Sequence, residues 1–566
     1  MIISPKYNDT KRKNWAKKVP YYDRDDPDNI AGYAYGANST FLNEVRNENY
    51  NVTSQLLMNY AGTIQNHNFN LMAGYENYYS FSENLSAGSG QFELSTFPYL
   101  SRGNENYLSN DGNAIELAYR SYFGRLIYNY NSKYLLQANF RQDGSSRFHR
   151  DHRWGFFPSV SLGWVLSEEK FMKGFSDLSF LKIRSSWGVL GNDRIGNYPY
   201  QSSLNFGSNL LYQGNNIVSV LNAKVTDFAI QDITWETTET YGLGIDAYFF
   251  NNKLRFTGDY YKKTTHDMLL ALEIPDYMGV SNPDQNTGKM NTTGWEFEIG
   301  YLNKTGDFSY SVSANLSDSR SKMGDLGGTE FLGVQIKRKG SEFNEWYGYK
   351  SDGLFQTEEE LNNYPTLNST VRVGDIKLLD ISGPEGKPDG LISPDYDRVL
   401  LGGSLPRFMY GGNVSMKYKN VDLSLVFQGV GKQNKRILPD MVKPYGQVDQ
   451  EISNEYAKRY WSAYQTPEEN LKAKYPRFTK NAFPQMFAFS DFWMFNGAYF
   501  RLKNVMVGYN LPARFVEKCN IQNVRVYGNV SNVFSIDNYY PGWDPESSPT
   551  DYWITRTFLV GLSVTF

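Results

Sequence analysis

The stretch TRTFLVGLSVTF, residues 555–566, places an apolar side chain at every second position up to its end. Phe558, Val560, Leu562, Val564 and Phe566 share one face of an extended strand, because successive side chains of a strand point to opposite sides. Four of the intervening positions carry only Thr, Gly or Ser. Such a strand can turn its apolar face to a protein core or to lipid. The rest of the sequence has to decide between a soluble sheet and a membrane barrel.

Composition excludes one kind of membrane protein and is compatible with another. A membrane-spanning helix needs about 20 consecutive apolar residues, and no stretch of this chain approaches that length. The 566 residues instead include 44 Tyr, 36 Phe and 49 Gly at a hydrophobic content of only 40%. This mixture is typical of strands that alternate between lipid and water and are flanked by aromatic girdles. A large secreted β-protein would show a similar composition.

Charge and cysteine content exclude several further classes. The net charge is -3 with both signs dispersed along the chain, so we expect no nucleic-acid partner. The single cysteine, Cys519, excludes an internal disulfide framework and a four-cysteine zinc site. Residues 1–26 lack the apolar core of a signal peptide. We therefore expect either a cytoplasmic protein or a chain whose natural beginning is missing.

Alternation recurs in segments well before the end of the chain. In residues 178–192, Leu181, Ile183, Trp187 and Val189 lie opposite a row of Lys, Arg, Ser and Gly. Segments 241–249, 295–301 and 308–316 repeat this pattern. Strands of about ten residues with one small or charged face are what a tilted strand between lipid and a wet lumen requires. A sandwich would show the same alternation, so the pattern favours a barrel without excluding a soluble sheet.

The connections between strands are of two very different lengths. Short polar turns are predicted near residues 65, 131, 251, 306 and 420, whereas long excursions cover about 190–237, 319–407 and 431–496. Outer-membrane barrels have short periplasmic turns and long extracellular loops. Loops of such length are uncommon in compact soluble domains. We therefore predict an all-β, transmembrane antiparallel barrel.

The strand count indicates an incomplete barrel. We count roughly fifteen strands, beginning with a descending strand near 52–61 and ending with another over 554–566. An odd count that starts downward predicts a chain that begins partway round a sheet, because a barrel in lipid has to close. An extra strand around Tyr33 to Leu42 would restore even parity. We expect residues 1–50 to be a partial strand or extracellular loop and residues 51–566 to be the carboxy-terminal portion of the barrel.

Particular segments identify a family. The chain resembles the SusC/RagA family of TonB-dependent outer-membrane transporters of Bacteroidetes, and the likeness runs in the family's order over about residues 50–566. The segments that carry it are NFRQDGSSRF (139–148), WGFFPSVSLGW (154–164), LSFLKIRSSWGVLGN (178–192), WETTETYGLGIDAYFFNNKLRFTGDYYKKTTHDMLL (235–270), NTGKMNTTGWEFEIGY (286–301), VGDIKLLD (373–380), FRLKNVMVGYNLP (500–512) and VRVYGNVSNVFSID (524–537).

The resemblance implies a 22-stranded barrel in the outer membrane of a Gram-negative bacterium, with an amino-terminal plug. It also implies energy coupling through TonB–ExbB–ExbD and a SusD-like surface lipoprotein that captures oligosaccharide or peptide. We find no plug, TonB box or signal peptide in the sequence. We therefore expect that this chain alone does not transport, because the gate and the contact with TonB would lie in the missing part.

The terminal strand carries a predicted assembly signal. Phe566 and the apolar residues at 558, 560, 562 and 564 resemble the strand by which the barrel-assembly machinery recognises outer-membrane substrates. An ordinary last strand is the alternative interpretation.

A weak calcium motif lies in DISGPEGKPDGLISPDYDR, residues 380–398. Carboxylate and carbonyl oxygens around a glycine turn are the ligands of calcium loops, and the candidate ligands are Asp380, Asp389, Asp395 and Asp397. The spacing departs from the consensus, so a solvated turn is the competing interpretation. A structural Ca²⁺ is the only cofactor that the sequence suggests.

Aromatic residues in the long loops are candidates for contact with substrate. Trp346, Trp493 and Trp543 lie in three such clusters, and flat rings can stack on sugars; girdle or packing roles are the alternative. The four His and one Cys are scattered over loops and form no catalytic constellation. The sequence therefore predicts no enzyme and no catalytic residues, and the HRDH segment at 149–152 is interpreted as a charged loop tip.

Two other functions compete with the transporter. A secreted all-β binding or adhesion protein should have hydrophilic outer faces and loops of similar length at both ends. A diffusion porin without a plug should conduct ions through a planar bilayer, and we expect no such current.

Overall fold

Sixteen strands of the chain form one continuous antiparallel sheet, which is the dominant feature of the computed structural model. The structure describes residues 1–34, 39–94, 96–214, 216–225, 227–271, 274–328, 330–437, 452–479, 485, 487–516, 521–547 and 552–566. Within these ranges, no helix is both long and apolar enough to cross a membrane. Cys519 lies outside the described residues.

The first fifteen strands are β1 (Ile2–Ala16), β2 (Pro20–Tyr22), β3 (Ile30–Tyr33), β4 (Phe41–Ile64), β5 (His67–Gly90), β6 (Asn104–Tyr130), β7 (Tyr134–Ser145), β8 (Trp154–Val165), β9 (Leu178–Asn192), β10 (Leu204–Gln213), β11 (Asn216–Val225), β12 (Glu236–Phe249), β13 (Leu254–Ala271), β14 (Asp284–Thr305) and β15 (Phe308–Met323).

The remaining strands are β16 (Phe331–Leu332), β17 (Gln335–Lys337), β18 (Glu345–Gly348), β19 (Ser351–Leu354), β20 (Ile376–Leu378), β21 (Val399–Gly402), β22 (Arg407–Tyr418), β23 (Val421–Lys432), β24 (Asn434–Arg436), β25 (Met494–Asn496), β26 (Tyr499–Asn510), β27 (Asn523–Asp537) and β28 (Thr557–Thr565). Short α-helices are α1 (Glu358–Asn362), α2 (Asn454–Ala457), α3 (Pro467–Asn470) and α4 (Ala513–Val516).

Each wall strand pairs with its neighbour along the chain, in the order β1-β4-β5-β6-β7-β8-β9-β12-β13-β14-β15-β22-β23-β26-β27-β28. The expected count of about fifteen is therefore one too low. The missing strand is β1, which pairs with β4 from Ile2↔Gln55 to Ala16↔Phe41. β4 itself runs unbroken across the boundary expected at residue 50. The suggested extra strand at 33–42 is not what restores parity, since β3 ends at Tyr33 and β4 begins at Phe41, with residues 35–38 outside the described ranges.

The two ends of the sheet differ as the sequence predicts. Tight turns join β4 to β5, β6 to β7, β12 to β13, β14 to β15 and β22 to β23. Residues in these turns take positive φ, for example Asn131 at 53° and Gly306 at 59°, which two-residue hairpin turns require. At the opposite end, long connections leave the wall after Asn192, Met323 and Lys432. We take the tight turns as periplasmic and the long connections as extracellular.

The long connections have structure of their own. The first carries the β10–β11 hairpin, the second carries the sheet β16-β17-β18-β21 and the β19–β20 pair, and β24 of the third pairs with β25. Leu354, Ile376 and Leu378 from the second connection, and Tyr456 and Trp493 from the third, share one buried cluster. The extracellular side of the molecule is therefore a packed loop assembly rather than a set of separate loops.

Candidate functional site

The outer face of the wall carries an apolar band between two aromatic levels. On β8, Trp154 and Trp164 stand ten positions apart on the same face, with Phe156 and Leu162 between them at 59% and 57% exposure. Ten strand residues span about 33 Å, or about 25 Å across the membrane at a tilt near 40°. That height matches the apolar band of outer-membrane barrels. Exposed apolar side chains in this position face lipid.

The extracellular edge of this band contains an acidic residue with neutral partners. Glu239 Oε1 accepts a hydrogen bond from Trp187 Nε1–H at 2.8 Å and one from the Tyr241 hydroxyl at 2.7 Å. Both donors belong to amphipathic rings, which prefer the membrane–water interface. This part of the wall thus matches one aromatic girdle.

The periplasmic edge repeats the arrangement. Glu169 Oε1 accepts from the Tyr134 hydroxyl at 2.7 Å and from Trp164 Nε1–H at 3.2 Å, and Glu169 Oε2 lies 3.2 Å from Lys133 Nζ. These residues stand next to the turns that follow β6 and β8. The apolar band therefore ends in hydrogen-bonded aromatic residues on both sides.

The opposite face of the wall is charged and internally paired. Arg184 lies between two carboxylates, with Nε 3.0 Å from Asp246 Oδ2 and Nη2 2.8 Å from Asp259 Oδ2, and Lys182 Nζ is 3.6 Å from Asp246 Oδ2. A hollow of about 500 Å³ in front of them is lined by Arg184, Asp259 and several Ser and Gly residues. A row of paired charges beside small residues is typical of a water-filled lumen.

Neighbouring strands continue the same chemistry. Arg141 Nε is 2.7 Å from Asp143 Oδ1, and Arg141 Nη2 is 3.2 Å from Glu76 Oε1. Nearer the periplasmic end, Arg525 Nη2 is 2.5 Å from Asp422 Oδ2. The predicted division into a lipid face and a wet face thus holds from β5 to β27.

The three predicted substrate-lining tryptophans lie in different surroundings. Trp493 is 3% exposed and packs inside the loop assembly beside Tyr475 and Phe487. The prediction that it lines a substrate chamber is wrong for this structure, because its ring is covered by other loop residues. The aromatic density that marked it in the sequence reflects core packing.

Trp346 and Trp543 are half-buried and keep accessible surface. Trp346 Nε1–H donates to the carbonyl of Asn434 at 2.7 Å, and its ring centroid is 5.4 Å from that of Phe489. The Trp543 ring lies 4.8 Å from Trp553, which is 56% exposed. Contact of either tryptophan with substrate stays a prediction.

A buried arginine, which sequence reasoning missed, ties the last extracellular loop to the wall. Arg501 is 1% exposed and forms ion pairs with Asp544 and Glu546. Glu546 Oε1 also accepts from Gln428 Nε2 at 2.9 Å and from the Tyr499 hydroxyl. We call Arg501, Asp544, Glu546, Tyr499 and Gln428 the arginine clamp. Its only sequence signal was charge at 501, 544 and 546 within otherwise aromatic segments.

The predicted calcium segment is folded by its own hydrogen bonds. Asp397 is fully buried and accepts from the backbone N–H groups of Ile381, Ser382 and Ser393 at 2.7, 3.1 and 2.6 Å. Asp380 Oδ2 accepts from Gly390 N–H at 2.7 Å. These contacts make the segment a compact Asx-rich turn.

The four carboxylates are not gathered at one point. Over the described ranges, no group of three or more His, Cys, Asp or Glu side chains is placed to hold a metal ion. Asp389 accepts only from the N–H of Leu391, at 3.0 Å, and Asp395 points to solvent. Asp380 Oδ1 is buried without a hydrogen-bond partner among the described residues. Calcium binding by this segment stays a prediction.

A buried ion pair and buried tyrosines control the electrostatics of the loop assembly. Asp375 is 1% exposed, and Arg477 Nε donates to its Oδ1 at 2.8 Å. Burial raises the pKa of the Asp375 carboxyl, and the Arg477 guanidinium works against that rise. Burial likewise raises the pKa of the Tyr456 hydroxyl, which donates to the carbonyl of Pro476 at 3.0 Å.

The two remaining sequence motifs occupy the expected kinds of position. The HRDH segment is an extracellular turn in which His149 Nδ1 lies 3.3 Å from Asp151 Oδ2. The row 558, 560, 562, 564 and 566 faces outward at the β28 edge of the sheet, with Phe558 73% and Phe566 80% exposed. Recognition of this row by the assembly machinery stays a prediction.

Comparison with known proteins agrees with this architecture. The family described as TonB dependent receptor-like, beta-barrel, matches residues 4–533. TonB-dependent receptor P3 of Formosa agariphila is 30% identical over 572 residues, covering 95% of this chain and 54% of the relative. TonB-dependent receptor SusC of Bacteroides thetaiotaomicron is 27% identical over 558 residues, covering 95% and 52%. The chain thus spans about half the length of the curated relatives it matches.

Among solved structures, the RagAB peptide transporter superposes with a TM-score of 0.81 at 22% sequence identity, covering all of this chain (100%) and 59% of the matched chain. The relatives are receptors and transporters rather than enzymes. The lipid-facing band and the family match exclude the secreted alternative. The chain belongs to the TonB-dependent receptor β-barrel family of SusC/RagA type, a family of the bacterial outer membrane.

Proposed function

We propose that this chain supplies barrel wall and extracellular loops to an importer of oligosaccharide or peptide that is energised through TonB–ExbB–ExbD. The observation that carries the proposal is the wall itself. Its outer face is apolar between two aromatic girdles, its inner face carries paired charges such as Arg184 with Asp246 and Asp259, and its extracellular end holds a packed loop assembly. This combination provides a wet path across the membrane beneath a structured surface.

The names of the relatives support the two substrate classes. One relative is named SusC, and the matched solved structure is described as a peptide transporter. Half-buried aromatic rings at Trp346 and Trp543 are suited to stacking on sugars or on aromatic peptide side chains. The substrate class therefore stays open between oligosaccharide and peptide.

The proposed partner at the extracellular face is a SusD-like surface lipoprotein. The partner of solved RagA is named in the RagAB complex, and the loop assembly of this chain offers a stable surface because its core is buried. Coupling to TonB would use a plug and TonB box, which the proposal assigns to the complete transporter. Folding into the outer membrane would use the barrel-assembly machinery.

Growth of a deletion strain tests the proposal. The gene is removed, and growth and uptake are measured on a panel of single oligosaccharides and on defined peptides, with a TonB-deficient strain in parallel. We expect loss of uptake for one substrate class in both strains and its restoration by the wild-type gene. Unchanged uptake of every tested substrate in the deletion strain, or uptake that persists without TonB, would refute the importer.

The plugless porin is tested separately with the purified chain. We expect no steady ion current after its reconstitution into a planar bilayer. A stable single-channel conductance from this chain alone would favour the porin instead.

A further inference from the structure

The lipid-facing side of the wall contains a groove that crosses from β13 to β7. Two adjoining hollows of about 350 and 470 Å³ share Leu162 and Ser185 in their lining and therefore form one channel along the surface. The periplasmic end is bordered by Tyr134 and Trp164, and the extracellular end by Tyr241 and Lys262.

Ser185 is the reason for the groove. It occupies a position in the apolar row of β9, between Ile183 and Trp187. Its direct cross-strand neighbours are Leu162 on one side and Leu243 on the other. Because a serine side chain is much shorter than the leucines and rings around it, the wall has a dent at this point. The two leucines that flank the dent are each 57% exposed.

The groove lies within the hydrocarbon part of the membrane. Trp187 and Tyr241 belong to the extracellular girdle, and Tyr134 and Trp164 to the periplasmic girdle. From β13 to β7 there are four strand spacings of about 4.8 Å, so the groove is about 20 Å long. One leaflet is about half of the ~30 Å hydrocarbon core. A single acyl chain lying obliquely across the strands fits this length, whereas a soluble partner cannot reach it.

A lysine stands at the extracellular end of the groove. Lys262 is exposed, lies on the lipid-facing side of β13 and is in register with Tyr241. In the described part of the chain, no carboxylate lies within ion-pair distance of its Nζ, although every other charge of this sector discussed above is paired. Glu239, the nearby girdle carboxylate, is engaged by Trp187 and Tyr241. Lysines at the interface attract anionic lipid head groups.

We propose that this groove is a specific site for an anionic lipid of the outer leaflet. One acyl chain lies over Ser185 between Leu162 and Leu243, and the phosphate of the head group contacts Lys262. The site is independent of what the transporter imports, since it lies on the opposite face of the wall from Arg184 and the lumen.

Native mass spectrometry of the detergent-purified protein tests the proposal. The protein is delipidated and titrated with phosphatidylglycerol or with phosphatidylcholine of the same acyl chains, and the bound lipid is counted. Each variant is first shown to fold by its heat-dependent mobility in denaturing gels. Ser185→Trp fills the dent, and Ala314→Trp places the same ring on the lipid-facing side of β15, outside the groove. Lys262→Gln removes the cation, with Lys253→Gln in a periplasmic turn as its control.

We expect S185W to weaken binding of both lipids about tenfold, which corresponds to lost contact with about two methylene groups. We expect K262Q to weaken phosphatidylglycerol about fivefold and to leave phosphatidylcholine unchanged, because one interfacial lysine contributes about 1 kcal/mol. Should S185W not fold, S185L tests the same filling. Equal lipid binding by S185W and A314W would overturn the groove, and equal phosphatidylglycerol binding by K262Q and K253Q would overturn the head-group contact.

Discussion

Replacing Arg501 with methionine should release the last extracellular loop from the wall. Arg501 reaches from β26 to Asp544 and Glu546 in the loop between β27 and β28, and its side chain is only 2% exposed. Methionine keeps the length of the side chain and removes the charge and all hydrogen-bond donors. The two carboxylates then lose their common partner.

The size of the effect follows from burial. Removing one partner of a fully buried ion pair costs about 3–5 kcal/mol. Here the side chains of Asp544 and Glu546 are 20% and 31% exposed, so water can solvate them in part. We therefore expect a local cost of about 2–3 kcal/mol. Arg525→Met is the matched control, because Arg525 and Asp422 are each 24% exposed and their pair should be worth about 1 kcal/mol.

Amide hydrogen exchange measures this cost at the loop. The N–H of Trp543 donates to the carbonyl of Tyr540, and that of Ser547 donates to the carbonyl of Asp544, both at 3.1 Å. In the R501M variant these two amides should exchange about 30- to 150-fold faster. Lysine at 501 should give an intermediate value, since it retains the charge without the bidentate fork. Equal acceleration of the two amides in R501M and R525M would refute the assignment of the clamp to Arg501.

Three further predictions address the loop assembly and the terminal strand. Trp493→Ala should destabilise the loop assembly by about 3–5 kcal/mol, while Trp543→Ala at its half-buried rim should cost less than about 2 kcal/mol, as measured by limited proteolysis in urea. The raised pKa of Tyr456 means that its stabilising contribution is complete below its ordinary pKa of 10.0 and is lost as pH rises above it; absorbance of ionised tyrosine followed together with proteolysis checks this, and ionisation at pH 10 without loosening would contradict it. Phe566→Ser should lower the folded fraction in the outer membrane several-fold, measured by heat-dependent gel mobility, whereas Thr565→Ser on the other face should not.

The fold was largely predictable wherever one face of a strand is apolar. The long connections predicted at about 190–237, 319–407 and 431–496 begin and end within a few residues of the observed strand ends. β1 escaped notice because its sequence, IISPKYNDTKRKNWA, is polar on both faces and nearly all exposed. A period-two signal exists only where the two faces of a strand meet different media. β1 pairs with the upper part of β4, which continues beyond the apolar band, so its composition carries no such signal.

The candidate site was less predictable than the fold. Trp493 and Trp543 stand in similar aromatic segments, yet one is 3% exposed and the other keeps accessible surface. Their burial depends on how connections from three parts of the chain pack against one another, which local periodicity does not record. The arginine clamp has the same origin, since Arg501 and Glu546 are 45 residues apart in sequence. Contacts of this range need the assembled loops.

The placement of carboxylates shows that the wall separates two media. On the lumen side, Asp246 and Asp259 are held by an arginine, as expected where water and counter-charges are available. On the outer side, Glu239 is held by a Trp N–H and a Tyr O–H, and Glu169 by the same two kinds of donor. Tyr and Trp present an apolar body together with a polar donor, so they can satisfy a carboxylate while keeping hydrocarbon in contact with their rings. A soluble sheet has no need to restrict its surface acids to such partners at two levels about 25 Å apart. The girdle carboxylates therefore give evidence for the membrane that is independent of the alternating apolar rows.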